Sequence, residues 1–255
     1  MLLTARFAFS PASMLRDAIE EVSGVRLGIA TSIERLGNRR LHVRFGKMGE
    51  TLQETNYNSN IAIKFLSNKL LMSTNLLKRG FIAPEFIYNR LPRQNEYPIL
   101  VRTSLSLYGG QGIYPCYNEK EALSHLVRGS CWCRYINTSS EFRFHITKSR
   151  FGVNNIARVM KKVPRTEEVE QRDIHIRHHI NYRFSRRFSP EDKYPNMSAE
   201  ILKAIEPFPG RMFALDVGWS PEHKRPVFFE ANTAPGLDNA CATMYAQFLH
   251  EEGIV

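Results

Sequence analysis

Two short apolar segments near the C-terminal end constrain the fold of this chain more than any other feature. Residues 212–217 (MFALDV) and 227–229 (VFF) are rich in β-prone side chains and are separated by a short turn-prone stretch. Consecutive strands with so short a connection pair as an antiparallel hairpin. Asp216 and Glu230 lie at the strand ends, so we expect two neighbouring carboxylates. Asn232 lies two residues beyond Glu230 and points to the same side.

These three polar side chains form a candidate metal site. Asp, Glu and Asn oxygens suit a hard cation, and they favour Mg²⁺ over Zn²⁺. A small number of protein ligands leaves several coordination positions open, which is typical of Mg²⁺ shared with substrate phosphates. Asp and Asn are also common beside turns, so the spacing alone is compatible with a polar hairpin end that binds nothing.

The remaining hydrophobic patterns predict an α+β chain in three parts. Residues 1–57 form a small N-terminal unit, residues 58–130 follow a helix, strand, loop and helix order, and residues 131–255 begin with several strands. The predicted helices cover residues 13–22, 60–79, 119–128, 198–205 and 241–251. The predicted strands before the C-terminal hairpin cover residues 41–45, 98–102, 131–136, 141–146 and 155–163.

Glycines and cations around the predicted strands indicate an anionic ligand. Arg102 ends the strand 98–102, and the loop that follows contains glycines that can expose backbone N–H groups to phosphate oxygens: Gly109, Gly110 and Gly112. The loop is neither a Walker A nor a G-x-G-x-x-G sequence, so an ordinary loop stays an alternative. Other strand cations are Arg143, Lys161 and Lys162. Each needs an anion, either a ligand or a neighbouring carboxylate.

The charge balance agrees with an anionic partner. The 255 residues carry 35 Lys and Arg against 25 Asp and Glu, a formal charge of +10. Such a surface suits a nucleotide, a nucleic acid, an acidic peptide or a membrane face, or it serves solubility alone. The stretch 161–187 is especially basic, and its His175, His178 and His179 are too irregularly spaced for zinc. This stretch is either a solvated face or a binding surface.

Cysteine content and hydropathy indicate a reducing, aqueous compartment. Cys116, Cys131, Cys133 and Cys241 form neither a disulfide framework nor a zinc spacing, so we expect reduced, half-buried thiols. No apolar run is long enough for a secretory signal or for the roughly 20 residues of a membrane span. We therefore expect a cytoplasmic protein with no membrane partner.

The order of these segments resembles the ATP-grasp superfamily, which includes D-alanine–D-alanine ligase and the glutamate ligases that modify ribosomal protein. The matching segments are NKLLMSTNLLKRGFIAPEF, PILVRTSLSLYGGQGI, YINTSSEFRFHI, IARVMKKV, MFALDVG and FFEANTAPGL. The chain is most similar to the small ATP-grasp proteins of bacteriophage genomes. Their IR-x-H motif is matched by residues 176–179, and their E-x-NTAPGL motif by residues 230–237. The likeness covers roughly residues 60–255, and the first 55 residues resemble a reduced pre-grasp domain.

The resemblance implies an ATP site between two α+β lobes. It assigns one or two Mg²⁺ ions to Asp216, Glu230 and Asn232, where they bridge the β- and γ-phosphates. It assigns the α- and β-phosphates to Lys69 and Arg102, although the family usually has Lys at the second position. A phage-encoded protein of this kind would act in the host cytoplasm.

The resemblance also implies roles for residues around the adenine, the ribose and the transferred phosphoryl group. The adenine hinge is residues 132–136, which include Arg134, Tyr135 and Ile136, and Glu141 accepts from the ribose hydroxyls. Arg143 and one of Lys161 and Lys162 contact the γ-phosphate beneath a mobile lid of Gly109, Gly110 and Gly112. Arg177 holds the carboxylate or the acyl phosphate, and His178 assists with the amine proton.

The implied activity is ATP-dependent ligation of a carboxylate to an amine through an acyl phosphate. The acceptor is a peptide, a metabolite or a modified base, and an acidic peptide or a nucleic-acid-linked substrate suits the basic stretch 161–187. Two alternatives stay open: a kinase that uses the same nucleotide site, and a non-catalytic module in which nucleotide regulates nucleic-acid binding.

Overall fold

The computed structural model describes residues 2–4, 9–31, 43–45, 58–105, 111–164, 182–185, 189–191 and 193–255. The helices in these ranges are α1 (Phe9–Ser23), α2 (Asn60–Ser67), α3 (Lys69–Lys78), α4 (Glu119–His125), α5 (Met197–Ile205) and α6 (Asn239–Glu251). The strands are β1 (Leu2–Thr4), β2 (Ile29–Ala30), β3 (Val43–Phe45), β4 (Ile99–Arg102), β5 (Ile113–Cys116), β6 (Cys131–Arg134), β7 (Ser140–Lys148), β8 (Asn154–Pro164), β9 (Tyr182–Ser185), β10 (Met212–Ser220) and β11 (Arg225–Asn232).

The largest sheet is five-stranded and antiparallel, in the order β11-β10-β7-β8-β9. The predicted hairpin is its β10–β11 edge, and Asp216 lies directly opposite Glu230. The prediction that these carboxylates end their strands is wrong, because β10 continues to Ser220 and β11 to Asn232. A bulge follows Asp216 in this pair, so the carboxylates lie where the ladder is locally bent.

One face of this sheet is covered by α2, α3 and α5 and forms the main hydrophobic core. Alternate strand residues point to the same face, and the inward set includes Phe142, Phe144, Leu215, Val217 and Phe228. They pack against the apolar stripes of the helices, which include Leu66, Met72, Leu76, Ile201 and Ile205. This core fixes the sheet from one side, and α6 covers part of the opposite face.

The single helix predicted over residues 60–79 is two helices, separated at Asn68. Asn68 has extended backbone angles (φ −91°, ψ 98°), and its side-chain oxygen accepts a hydrogen bond from the Leu71 N–H at 3.0 Å. Asn competes with the helical backbone for such bonds and favours helix starts. The break makes Lys69 the first residue of α3.

Two three-stranded sheets complete the described fold. The antiparallel sheet β5-β4-β6 packs Val101 and Trp132 with Ala122 of α4. The parallel sheet β2-β1-β3 belongs to a second core in which α1 packs with α6, bringing Leu15 and Tyr245 together. Strands β1, β2, β5 and β9 were not predicted from the sequence. None of the helices within the described ranges has the length and apolar character of a membrane span.

Candidate functional site

The face of the five-stranded sheet that points away from the main core carries the predicted polar residues. Residues directly opposite each other in an antiparallel pair share a face, and the register aligns Glu230, Asp216 and Arg143 in one row across β11, β10 and β7. Glu141 and Lys162 align in a neighbouring row of β7 and β8. We call this side of the sheet the polar face.

Asp216 is held by Arg143 through a bidentate ion pair. The Arg143 Nε donates to Asp216 Oδ1 at 2.7 Å, and its Nη2 donates to Oδ2 at 2.8 Å. Burial alone would raise the pKa of Asp216, but the Arg143 guanidinium outweighs that effect and the pKa is lowered. The guanidinium carbon also lies 4.3 Å from the centroid of the Phe184 ring, a cation–π contact from the edge strand β9.

Glu230 is paired with Lys69, which reaches it from the start of α3. The Lys69 Nζ lies 3.1 Å from Glu230 Oε2. The Asn232 Nδ2 is 3.4 Å from Glu230 Oε1, which confirms that these two side chains share one side of β11. Each carboxylate of the predicted metal site is therefore balanced by a cation of the chain itself.

The two candidate lysines of β8 lie on opposite faces of the sheet. Lys162 lies opposite Glu141 and its Nζ is 3.2 Å from Glu141 Oε2. Lys161 lies opposite Phe142, so its Cβ leaves from the sheet face that carries the main core. Of the two, Lys162 shares the face of Arg143 and Asp216.

The small sheet β5-β4-β6 contributes Arg102 and the predicted adenine hinge. Arg102 ends β4, and its guanidinium carbon is 5.7 Å from the centroid of the Phe86 ring. Its Nε is buried and has no hydrogen-bond partner within the described part of the chain, so an anion would satisfy this donor.

The hinge residues are already partly engaged by the protein. The Tyr135 N–H donates to the Pro98 carbonyl at 3.0 Å, so this N–H is not available to adenine. The Arg134 Nη2 lies 3.5 Å from Glu96 Oε1, and Ile136 follows in the connection to β7. If residues 132–136 hold adenine, the remaining backbone groups of that segment must do so.

Several predicted site residues lie outside the described residues: Gly109, Gly110, Arg177 and His178. Gly112 is described. It has a positive φ of 65°, and its carbonyl accepts from the Thr103 N–H at 3.0 Å, closing the loop between β4 and β5. A positive φ is most readily adopted by glycine, so this position suits the predicted glycine loop.

A buried polar cluster beside this site was missed by the sequence analysis. His145 lies on β7 with its Nδ1 3.0 Å from the Tyr245 hydroxyl and its Nε2 3.5 Å from the Cys241 Sγ. The Tyr245 hydroxyl also donates to the Phe213 carbonyl at 3.1 Å. Burial, reinforced by Arg143 and Arg158, lowers the pKa of His145 to about 3. The histidine is therefore neutral at physiological pH. No short-range pattern joins β7 to the C-terminal helix, which is why the sequence gives no sign of this cluster.

The cysteines are more deeply buried than the sequence predicts. All four thiols are free and fully buried, whereas half-buried thiols were predicted. Burial raises the pKa of Cys241 to about 12 and that of Cys133 to about 11, so neither is a thiolate at neutral pH.

The donor set of the polar face fits a hard divalent cation. Two carboxylates and a carboxamide meet on β10 and β11, and this is oxygen chemistry suited to Mg²⁺ with open coordination positions. No three His, Cys, Asp or Glu side chains gather anywhere in the described ranges, so this candidate site depends on the Asn232 oxygen as its third protein ligand. The assignment of Mg²⁺ to Asp216, Glu230 and Asn232 stays a prediction.

Comparison with known proteins gives matches among solved structures. No protein-family model and no curated protein sequence matches the chain. The structure of D-alanine–D-alanine ligase from Bacillus anthracis complexed with ATP superimposes with a TM-score of 0.66 at 14% identity, covering 100% of this chain and 94% of that one. The ATP-grasp ligase PsnB complexed with a minimal precursor has a TM-score of 0.67 at 9% identity, covering 98% of both chains.

A third match is the macrocyclase MdnC from Microcystis aeruginosa MRC, bound with its precursor peptide MdnA. It has a TM-score of 0.64 at 12% identity, and the alignment covers 98% of both chains. At these identities the matches establish the fold and not the activity. The described residues have the α+β fold of the ATP-grasp ligases to which the chain is similar, as the motif order predicted.

Proposed function

We propose that this ATP-grasp chain is an ATP-dependent ligase that joins a carboxylate to an amine through an acyl phosphate. The observation that carries the proposal is the row Glu230, Asp216 and Arg143 on the polar face, with Lys69 closing on Glu230. It combines the oxygen ligands of a metal with cations that can bind phosphate. The matched structures include three kinds of ligase or macrocyclase with the same fold, which supports this reaction class by analogy.

Asp216, Glu230 and Asn232 would hold Mg²⁺, which supplies charge neutralisation to the β- and γ-phosphates. Arg143 and Lys69 now neutralise the two carboxylates. Their long side chains can exchange these partners for phosphate oxygens without moving the strands, because both cations already lie at the site. Arg102, with its unpaired buried Nε, would bind phosphate from the small sheet.

The reaction needs positioning and charge stabilisation, and no covalent nucleophile from the chain. An oxygen of the substrate carboxylate attacks the γ-phosphorus and ADP leaves, which gives an acyl phosphate. An amine then attacks the carbonyl carbon, phosphate leaves, and the nitrogen gives up a proton. Charge grows on phosphoryl oxygens during the first step, so cations fixed in advance, such as Arg143 and Lys162, lower its barrier most.

An acidic peptide is the carboxylate substrate that we favour. PsnB and MdnC are described with precursor peptides, and this chain carries a formal charge of +10, which attracts acidic partners. The basic stretch 161–187, which includes Arg177 and His178, would contribute to that attraction. A nucleic-acid-linked substrate is the alternative, since it is attracted by the same charge.

Trapping with hydroxylamine tests the reaction class directly. The protein is incubated with ATP, Mg²⁺, hydroxylamine and a panel of Glu- and Asp-containing peptides and small carboxylic acids. We expect phosphate release that depends on a carboxylate, together with an equal amount of hydroxamate. ATP consumption that leaves a stable phosphorylated hydroxyl compound and no hydroxamate would identify a kinase. Absence of turnover, alongside tight and salt-sensitive oligonucleotide binding, would identify the non-catalytic module.

A further inference from the structure

Arg158 on β8 is a cation of the polar face that the proposed reaction does not use. It lies opposite His145 and therefore diagonal to Arg143, at a Cα separation of about 7–8 Å. Its side chain is 17% exposed, so part of it reaches the surface. Arg158 thus lies beside the row of Glu230, Asp216 and Arg143, which would hold the transferred phosphoryl group.

The guanidinium of Arg158 is incompletely satisfied. One nitrogen, Nη2, contacts Asp238 Oδ2 at 3.2 Å. The Nε is buried without a hydrogen-bond partner among the described residues. By contrast, Arg143 uses two nitrogens in a bidentate pair with Asp216. Buried donors are almost always paired, so Arg158 has capacity for a further acceptor.

The position of Arg158 beside the start of α6 strengthens this conclusion. Asp238 is the N-cap of α6, and its Oδ1 accepts from the Cys241 N–H at 2.8 Å. A helix N-terminus favours an anion and disfavours a cation. Asp238 already serves both groups, with one carboxylate oxygen on the helix start and the other on Arg158, so a further anion beside Arg158 would be attracted by the guanidinium and by the same helix end.

Apart from Asp238, the polar groups near Arg158 carry no negative charge. His145 is neutral, since burial first and then Arg143 and Arg158 lower its pKa to about 3. The Cys241 thiol and the Tyr245 hydroxyl are protonated, because burial raises the pKa of both. Asp238 is the one carboxylate that faces Arg158 among the described residues, and it is shared with the helix cap.

We propose that Arg158 binds a second anionic group of the carboxylate substrate, so that the enzyme selects acids with two negative charges. This inference rests on the proposed ligase function and names its substrate class: a dicarboxylic acid or an acidic residue with a second carboxylate nearby. One carboxylate would react at the γ-phosphate beside Arg143 while the other is held by Arg158 at the N-terminal end of α6.

Binding of matched acids tests the proposal without any chemistry. Dissociation constants for malonate, succinate, glutarate and adipate are measured by NMR titration, with Mg²⁺ and a non-hydrolysable ATP analogue present. Each is compared with the monocarboxylic acid of the same chain length. We expect at least one diacid to bind the wild-type protein about tenfold more tightly than its monoacid partner.

Variants of the ion pair make the result specific. Arg158→Gln should remove the preference for the diacid and leave monoacid binding unchanged, and Arg158→Lys should keep part of it. Asp238→Asn retains a side-chain oxygen for the helix cap but frees the guanidinium, so diacid affinity should rise several-fold. Arg225→Gln, which breaks an ion pair with Glu200 away from the site, is the matched control and should change nothing.

The outcomes separate this inference from the ligase proposal. Equal binding of diacids and monoacids by the wild-type protein, or a preference that survives Arg158→Gln, would overturn the role of Arg158. If Arg158→Gln does not fold, the opposite effects expected for Arg158→Lys and Asp238→Asn decide the question. A diacid preference without hydroxamate formation would reject the ligase reaction but support the anion site at Arg158. Hydroxamate formation from monoacids without a diacid preference would support the ligase reaction but reject the anion site.

Discussion

The two faces of the five-stranded sheet are made by alternate residues of the same strands, yet they are organised by different forces. On one face Phe144 and Leu215 are fully buried against helices. On the other face their chain neighbours Arg143 and Asp216 form a bidentate ion pair. The apolar face is stabilised by the apolar surface area that it removes from water. On the polar face, the protonation states and contacts of the side chains are set by the opposite charges of their neighbours.

This difference implies that substitutions on the apolar face mainly change stability, whereas substitutions on the polar face can change function. A buried aromatic residue contributes to folding through packing that has no substitute. On the polar face the Arg143–Asp216 pair is largely buried, with side chains 15% and 13% exposed, so removing one partner alone would leave an unpaired buried charge. The Lys69–Glu230 pair is more open, with the Glu230 side chain 30% exposed, so a neutral substitution of Glu230 costs the fold less. Four substitutions or conditions test this division, in order of expected effect.

Phe144→Ala should give the largest change, on the apolar face. Removing the buried ring leaves a cavity in the main core, and we expect the free energy of unfolding to fall by about 3–5 kcal/mol. Chemical denaturation measures this directly. A loss below about 1 kcal/mol would mean that the core does not depend on this face of β7.

Glu230→Gln should give the largest change on the polar face, in function and not in folding. It keeps the shape of the side chain but removes one charge from the metal ligands and from the Lys69 pair. We expect Mg²⁺-dependent ATP turnover to fall roughly 100-fold, while the free energy of unfolding changes by less than about 1 kcal/mol. Glu200→Gln, which breaks the pair with Arg225, is the control. Turnover that is unaffected in the Glu230 variant would remove this residue from the mechanism.

Lys161 and Lys162 offer a comparison of adjacent residues on opposite faces. Lys162 shares the polar face with Glu141, and Lys161 leaves from the face of Phe142. If Lys162 contacts the phosphates, Lys162→Gln should raise the KM for ATP about tenfold, whereas Lys161→Gln should change it less than about twofold. Steady-state kinetics of both variants decides between them, and the reverse order would show that the register does not control this contact.

His145 lies where the polar face contacts α6, and it should make the free energy of unfolding decrease at acidic pH. Its pKa is lowered from 6.5 to about 3 in the folded protein, whereas the unfolded chain binds the proton near 6.5. Its contribution to stability is complete above pH 6.5 and is lost as the pH falls toward 3, with a slope of up to about 1.4 kcal/mol per pH unit. The difference between wild type and His145→Gln isolates this slope. Parallel stability curves for the two proteins would show that His145 is not buried as a neutral side chain.

The sequence predicted the hairpin that carries Asp216 and Glu230 better than the contacts that these residues make with other strands. Asp216 and Glu230 could be placed opposite each other because a short turn joins their strands. The pair of Arg143 with Asp216 could not, because it requires β7 to lie beside β10, some 70 residues further along the chain. The motif order supplied a role for Arg143 only through a family resemblance.

Local competition for hydrogen bonds explains another difference. The apolar rhythm of residues 60–79 predicts a single helix, but Asn68 stops one helix and caps the next. The break places Lys69 at Glu230. Hydrophobic periodicity does not register such a break, because Leu66 and Met72 are buried on either side of it.

A crystal structure with Mg²⁺ and a non-hydrolysable ATP analogue tests the central claim most directly. The account predicts an ion coordinated by Asp216, Glu230 and Asn232 and by phosphate oxygens, with Arg143 or Lys69 turned from its carboxylate toward the phosphates. Nucleotide bound with Mg²⁺ elsewhere, while the Arg143–Asp216 and Lys69–Glu230 pairs stay intact, would contradict it.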